Sequence, residues 1–210
     1  MNGGRSPMNI QLSSISKTFN QRLILNQIDF QAESGKLIHI VGGNGSGKST
    51  IFKIICQIIE PDSGTVFLSD DVNLGALIEN PSFIEDRSIK ANLSFLGKIK
   101  NQFNEERVVN LVSRLGLDYD NKLKLSKYSL GMRQKIGIIQ AIMENQNVIL
   151  LDEPTRGLDK EALAEFNKII GELIEESKTI IIASHDNLAD LQFDEYYSLE
   201  EGRLQSSLKN

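Results

Sequence analysis

The nine residues Gly42-Gly43-Asn44-Gly45-Ser46-Gly47-Lys48-Ser49-Thr50 constrain the fold of this chain more than any other stretch. The run before them, Lys36-Leu37-Ile38-His39-Ile40-Val41, is apolar and β-branched, and reads as a buried strand. Thr50 to Ile59 reads as a helix. Strand, glycine-rich loop and helix together make the pattern a phosphate-binding loop. Glycines allow successive backbone N–H groups to converge on one point, and a helix N-terminus adds partial positive charge. The Lys48 ammonium can reach β- and γ-phosphates, and the Ser49 hydroxyl can reach Mg²⁺. The loop therefore predicts an α/β fold of the P-loop NTPase class that takes a nucleoside triphosphate with Mg²⁺. Kinases, GTPases, motors and transport ATPases share it, so the remaining residues must choose.

At 210 residues the chain is long enough for one large domain, or a domain with an embedded subdomain. A formal net charge of −5 and a pI near 5.2 argue against a nucleic-acid partner, which needs a basic face. The lone cysteine, Cys56, lies among Ile54, Ile55, Ile58 and Ile59 and reads as a small buried apolar residue. No disulfide can form within the chain, which fits a reducing compartment. Residues 1–7 are polar and glycine-rich, expected to be a disordered or artificial lead-in and not a signal peptide. No apolar run approaches the ~18 residues of a membrane span, so any membrane part would belong to another chain.

Further strands are expected at Met8 to Ile15, Gln27 to Ala32, Thr65 to Leu68 and Leu74 to Ile78. Helical spacing then takes over from 88 to 145. Ser88 to Ile99 is one helix; Asn104 caps a second, ended by Gly116; Ser129 caps a third, running to Glu144. In the last third, Val148 to Leu151 and Thr179 to Ala183 read as central parallel strands, and Asp159 caps the helix between them. Asp194 to Leu204 reads as a closing hairpin. The fold expected is a mostly parallel core sheet with an antiparallel β portion and a helical insertion.

Asp152 and Glu153 end the first of those buried strands, where ligands bind in open α/β sheets. Asp152 there can hold Mg²⁺ through water, and Glu153 can accept a proton from an attacking water. Ser184-His185-Asp186 ends the second strand, so the His185 imidazole can reach the same crevice and hydrogen-bond the γ-phosphate or orient the water. Tyr128-Ser129-Leu130-Gly131-Met132-Arg133-Gln134-Lys135 places a capping serine and a glycine at a helix start, which is an ordinary N-cap or a second phosphate-ready site.

In this order and spacing, the motifs resemble those of the ATP-binding subunit of an ABC transporter, over residues 8–205. The resemblance rests on Walker A (Gly42 to Thr50), the signature (Tyr128 to Gln134), Walker B (Val148 to Glu153), the D-loop (Thr155-Arg156-Gly157-Leu158-Asp159) and the switch histidine His185. It implies a core with a β subdomain over 8–79 and 146–205, and a helical subdomain over 80–145. Phe19 matches the aromatic that stacks on adenine in this family; alone it would read as core. The site implied has Lys48, Glu153 and His185 in catalysis. Phe19, Gly42, Gly43, Asn44, Gly45, Ser46, Gly47, Lys48, Ser49, Thr50, Ser129, Gly131 and Asp159 contact nucleotide, and Ser49, Asp152 and Glu79 hold Mg²⁺. Two domains would close head to tail on two ATP molecules, each site drawing its signature from the opposite chain. A membrane permease would be the partner, placing the chain on the cytoplasmic face of the cell membrane. Non-transporter ABC ATPases and ATP-binding regulatory modules are the alternatives.

Two departures narrow the resemblance. Glu79, in Gly75-Ala76-Leu77-Ile78-Glu79-Asn80-Pro81, stands where the family usually has glutamine. Leu130 and Met132 replace the first glycine and the glutamine of the usual signature. Both are similar to the bacitracin-export and lantibiotic-immunity type, which implies export of a peptide antibiotic or drug. Phe83, Ile84 and Phe95 either belong to the core or receive a cytoplasmic helix of the permease.

Overall fold

The computed structural model describes residues 7–99, 103–185 and 188–207. Residues 1–6 of the expected lead-in, and Asp186, lie outside them. Pro7 does not belong to a loose lead: its carbonyl accepts the Ser34 N–H at 2.9 Å, lengthening the first strand pair.

Two sheets carry the fold. One is antiparallel, in the order β2-β1-β4: β1 is Met8–Phe19, β2 Arg22–Glu33 and β4 Ser63–Leu68. The other has six strands in the order β5-β6-β7-β3-β8-β9. Its members are β3 (Leu37–Val41), β5 (Leu74–Leu77), β6 (Val148–Asp152), β7 (Thr179–Ser184), β8 (Glu195–Glu200) and β9 (Arg203–Ser207). All neighbours in it are parallel except β8 and β9.

The long sheet lies between two cores, and side-chain alternation assigns each residue to one of them. Ile38, Ile40, Val148, Leu150, Ile181 and Ala183 face the core shared with the antiparallel sheet and α1 (Lys48–Ile55). Leu37, Ile149, Leu151, Ile180 and Ile182 face the core built by α2 (Ile89–Ile99), α3 (Glu105–Arg114), α4 (Leu130–Ile142) and α5 (Lys160–Glu175). Asn104, Ser129 and Asp159 cap α3, α4 and α5 as their side chains predict, accepting N–H groups of Arg107, Met132 and Ala162. Arg114 on α3 grips Glu165 and Glu172 on α5 at 2.6 Å each, tying the helical region to the core. Among the described residues, no helix is long and apolar enough to cross a membrane.

Three elements differ from the sequence expectation. The helix after the glycine loop ends at Ile55 and not Ile59. Cys56 is accordingly half-buried at its end, where desolvation still pushes the thiol up to about 11. The strands expected at Met8 to Ile15 and Gln27 to Ala32 are the inner halves of one long hairpin. Bulges at Ser14 (φ 52°) and Gln27 (φ 51°) interrupt the alternation along it. Its turn is Asn20-Gln21, both left-handed at φ 47° and 65°, without the glycine that usually marks such a turn.

Gln21→Gly should therefore relieve left-handed strain, partly offset by the greater freedom of glycine in the unfolded chain. A stabilisation of about 0.5–1 kcal/mol is expected, which thermal melting resolves as a rise of roughly 1–4 °C.

Candidate nucleotide site

The order β5-β6-β7-β3 sets four strand ends side by side. They carry Glu79, Asp152 with Glu153, His185 and the glycine loop in turn. The loop folds tightly at Gly47, whose φ of 113° suits glycine and whose position leaves no room for a Cβ, 2.8 Å from Leu25 Cδ2. α1 starts directly from it, aiming its first N–H groups at the loop centre. Lys48, only 5% exposed, donates to the carbonyls of Gly42 at 2.7 Å and Gly43 at 3.2 Å.

Ser49 donates its hydroxyl to Asp152 Oδ2 at 2.5 Å. The Glu79 N–H approaches the same oxygen at 3.3 Å. Burial raises the Asp152 carboxyl above the ordinary range, opposed by these two hydrogen bonds. Glu153, left-handed at φ 47°, turns back towards β7 and donates its N–H to the Ala183 carbonyl at 2.8 Å. Its Oε2 lies 2.8 Å from His185 Nδ1 and its Oε1 3.3 Å from Lys48 Nζ. That Oε1 is buried and makes no hydrogen bond within the protein.

An open cavity of about 470 Å³ joins Lys48, Ser49, Glu79, Asp152 and Glu153; His185 does not line it and reaches it through Glu153. Phe19, Ile24, Asn44, Gly45, Gly47, Lys48, Ser49, Thr50, Glu79, Asn80, Gln134, Asp152, Glu153 and Arg156 line it. Phe19 is 42% exposed there, with Lys17 Nζ 5.5 Å from its ring, so it is not core. The donor set fits Mg²⁺: a hydroxyl and a carboxylate share one oxygen-rich corner. Among the described residues no three carboxylate, imidazole or thiol groups gather into a metal cage, and Mg²⁺ bound to a triphosphate needs none.

Residues 25–156 match the family model described as ABC transporter. The chain belongs to that family. It is 30% identical, over 95% of its length and 96% of the relative's, to the uncharacterised ABC transporter ATP-binding protein YybJ of Bacillus subtilis. It is 30% identical to the lantibiotic transport ATP-binding protein SrtF of Streptococcus pyogenes, covering 86% of this chain and 84% of SrtF. Identity is also 30% to the bacitracin transport ATP-binding protein BcrA of Enterococcus faecalis, over 87% of this chain and 63% of BcrA. The chain thus spans less than two thirds of BcrA. A dimeric bacterial ABC transporter cassette shares the fold with a TM-score of 0.83, at 23% identity, over 93% of this chain and 96% of that one.

In this ABC ATPase Ser129 and Gly131 of the signature sit apart from the cavity, whereas Gln134 of the same motif lines it. Ser129 is exposed, its Oγ accepting the Met132 N–H at 3.2 Å, and neither it nor Gly131 lines the cavity. Gly131 backs onto the D-loop: a Cβ there would lie 2.3 Å from the Gly157 carbonyl. Both Asp159 oxygens are engaged within the chain, one capping α5 and one 2.8 Å from Lys135.

Gln134 and Lys53 are contributors that the sequence reading left without a role. Gln134 donates to the Glu153 carbonyl at 2.9 Å, bracing the strand end from α4. Lys53 pairs with the Glu79 carboxylate at 2.6 Å. Helical spacing places Lys53 one turn after Ser49 on α1, but does not show its pairing with Glu79, 26 residues away. The other histidine, His39, is buried on β3, 2.8 Å from Ser184 Oγ and stacked on Phe193. Burial lowers its pKa to about 4, against the smaller effect of Glu153, so it is neutral at physiological pH.

A buried carboxyl with a raised pKa costs stability above that pKa, and protonation relieves the cost as pH falls. Asp152→Asn keeps an acceptor for Ser49 and Glu79 without the charge. The nucleotide-free variant should melt above wild type at pH 7.5, and the gap should shrink towards pH 5. A variant that melts lower at pH 7.5 would show the hydrogen bonds outweighing desolvation.

Proposed function

We propose that this ABC ATPase hydrolyses MgATP between two copies or paired domains, and drives a separate membrane permease that exports a peptide antibiotic or drug. The observation that carries the reading is Glu153 held between Lys48 and His185. In the reading, the loop amides and Lys48 bind the phosphates, and Phe19 stacks on the adenine. Ser49 and Asp152 would hold Mg²⁺, with Glu79 beside them, and the bound ion would supply charge neutralisation for the phosphates. Glu153 takes the proton of the attacking water, and His185 orients that water. The amide oxygen of a strand-end residue cannot do the same work, so the test is direct. Glu153→Gln should slow single-turnover hydrolysis by about 100-fold or more and accumulate ATP-bound dimers. Hydrolysis at the wild-type rate would remove Glu153 as base.

Ser129 and Gly131 would close on the γ-phosphate of the opposite copy. Their distance from the cavity of their own chain supports that division of labour. The boundaries proposed are a core over 8–79 and 146–205, with a helical subdomain over 80–145. The peptide-antibiotic reading is supported by relatives named for lantibiotic and bacitracin transport. A permease on the inner face of the cell membrane would dock on the helical subdomain.

Of the three apolar residues considered for docking, Phe83 is partly buried under Arg133, whose guanidinium lies 5.5 Å from the ring. Ile84 and Phe95 remain 40% and 56% exposed. Asn92 exchanges two hydrogen bonds with the Ile84 backbone, setting it against α2 one turn before Phe95. Phe95→Asp should leave melting unchanged and weaken binding to the purified permease by about tenfold or more. Full binding by this variant would place the docking surface elsewhere.

A further inference from the structure

We infer that Lys53 is a positioning residue that sets how readily the Glu79 carboxylate turns to the Mg²⁺ of the nucleotide site; the inference rests on the ATPase reading above. Glu79 is fixed at its main chain and loose at its side chain. Its backbone, left-handed at φ 55°, points the N–H at Asp152 Oδ2, the oxygen that also takes the Ser49 hydroxyl. The carboxylate leaves that corner and meets Lys53 Nζ at 2.6 Å, with 55% of the Glu79 side chain exposed. Ser49 and Lys53 stand four residues apart on α1, and so on one face of it.

Helix α1 thus offers Glu79 two cationic destinations: an ammonium, or a metal held by Ser49 and Asp152. The ion pair is solvent-exposed and weakly held, so it can be exchanged. A divalent cation is the stronger attractor at equal distance. Lys53 then competes with the metal for the carboxylate. A glutamine at position 79 would carry no charge for it to compete over. The pairing also answers how the site tolerates a third carboxylate beside Asp152 and Glu153.

The test is a double-mutant cycle read by binding. A fluorescent ATP analogue is titrated onto the whole chain at a series of Mg²⁺ concentrations, giving the half-saturating Mg²⁺ for nucleotide retention. Lys53→Met should lower that concentration roughly two- to fivefold, the scale of one exposed ion pair. In the Glu79→Gln background, Lys53→Met should leave it unchanged. Lys53→Arg should behave as wild type. The nucleotide-free melting temperature checks that each variant is folded, and Lys53→Gln completes the cycle if Lys53→Met is not. An equal shift in both backgrounds would mean that Lys53 acts through its field alone, and would overturn the inference. So would no shift in either. A wild-type chain that binds no nucleotide at any Mg²⁺ concentration would instead sink the ATPase reading itself.

Discussion

One carboxylate oxygen joins the three segments on which the site depends. Asp152 Oδ2, at the end of β6, accepts the Ser49 hydroxyl from α1 and the Glu79 N–H from beyond β5. The oxygen is buried, so it must be satisfied, and these two donors satisfy it. In doing so it fixes the glycine loop's helix and the loop after β5 to one point in space. Glu153, one residue on, is then set by its left-handed turn and by the Ala183 carbonyl. Strain of that kind persists only where surrounding structure over-determines it. Here the surroundings are a parallel sheet buried on both faces and the Gln134 amide pressing from α4.

The two cores divide the work mechanically. The core under the antiparallel sheet holds α1, and with it Lys48, Ser49 and Lys53. The helical core holds α4, with Ser129 exposed at its start. The first turns of α4 reach the strand-end loops through specific contacts: Gly131 against Gly157, Lys135 with Asp159, Gln134 with Glu153. Arg133, four residues from Ser129, holds Glu85 in a fork at 2.6 and 2.9 Å, which keeps that carboxyl below its usual range. The segment that follows Glu79 is therefore tied to the signature helix, and movement at one would be felt at the other.

Much of this was legible in the residues because burial and periodicity agreed there. Val148 to Leu151 and Ile180 to Ala183 are apolar at every position, which only a strand covered on both faces requires. Asn104, Ser129 and Asp159 announced their helices through short polar side chains, and each made the cap. The hairpin of β1 and β2 was legible only in its inner half. Its turn uses Asn20 and Gln21, and bulges shift its register, so tertiary pairing overrode a weak local signal. Phe19 follows from the same cause, since an exposed aromatic beside that turn reads as core until the hairpin's full length is known. Glu79 was visible as a departure but its partner was not, because Lys53 lies 26 residues away and is joined to it by the sheet.

Charge at the cavity explains why such a partner is needed. Asp152, Glu153 and Glu79 are balanced by Lys48, Lys53 and Arg156 before any phosphate arrives. A triphosphate adds more negative charge to the same corner. The N-terminus of α1 and the loop amides offset part of it, and act at short range. Glutamate in place of a neutral amide adds one more negative charge, and near the buried Asp152 it could not be screened as it would be in water. Directing it onto Lys53 removes its charge from the corner while leaving its backbone N–H on Asp152, so the loop keeps its position whether or not the side chain does. The substitution at position 79 is therefore legible as one half of a pair, and its consequence for metal binding belongs to both residues together.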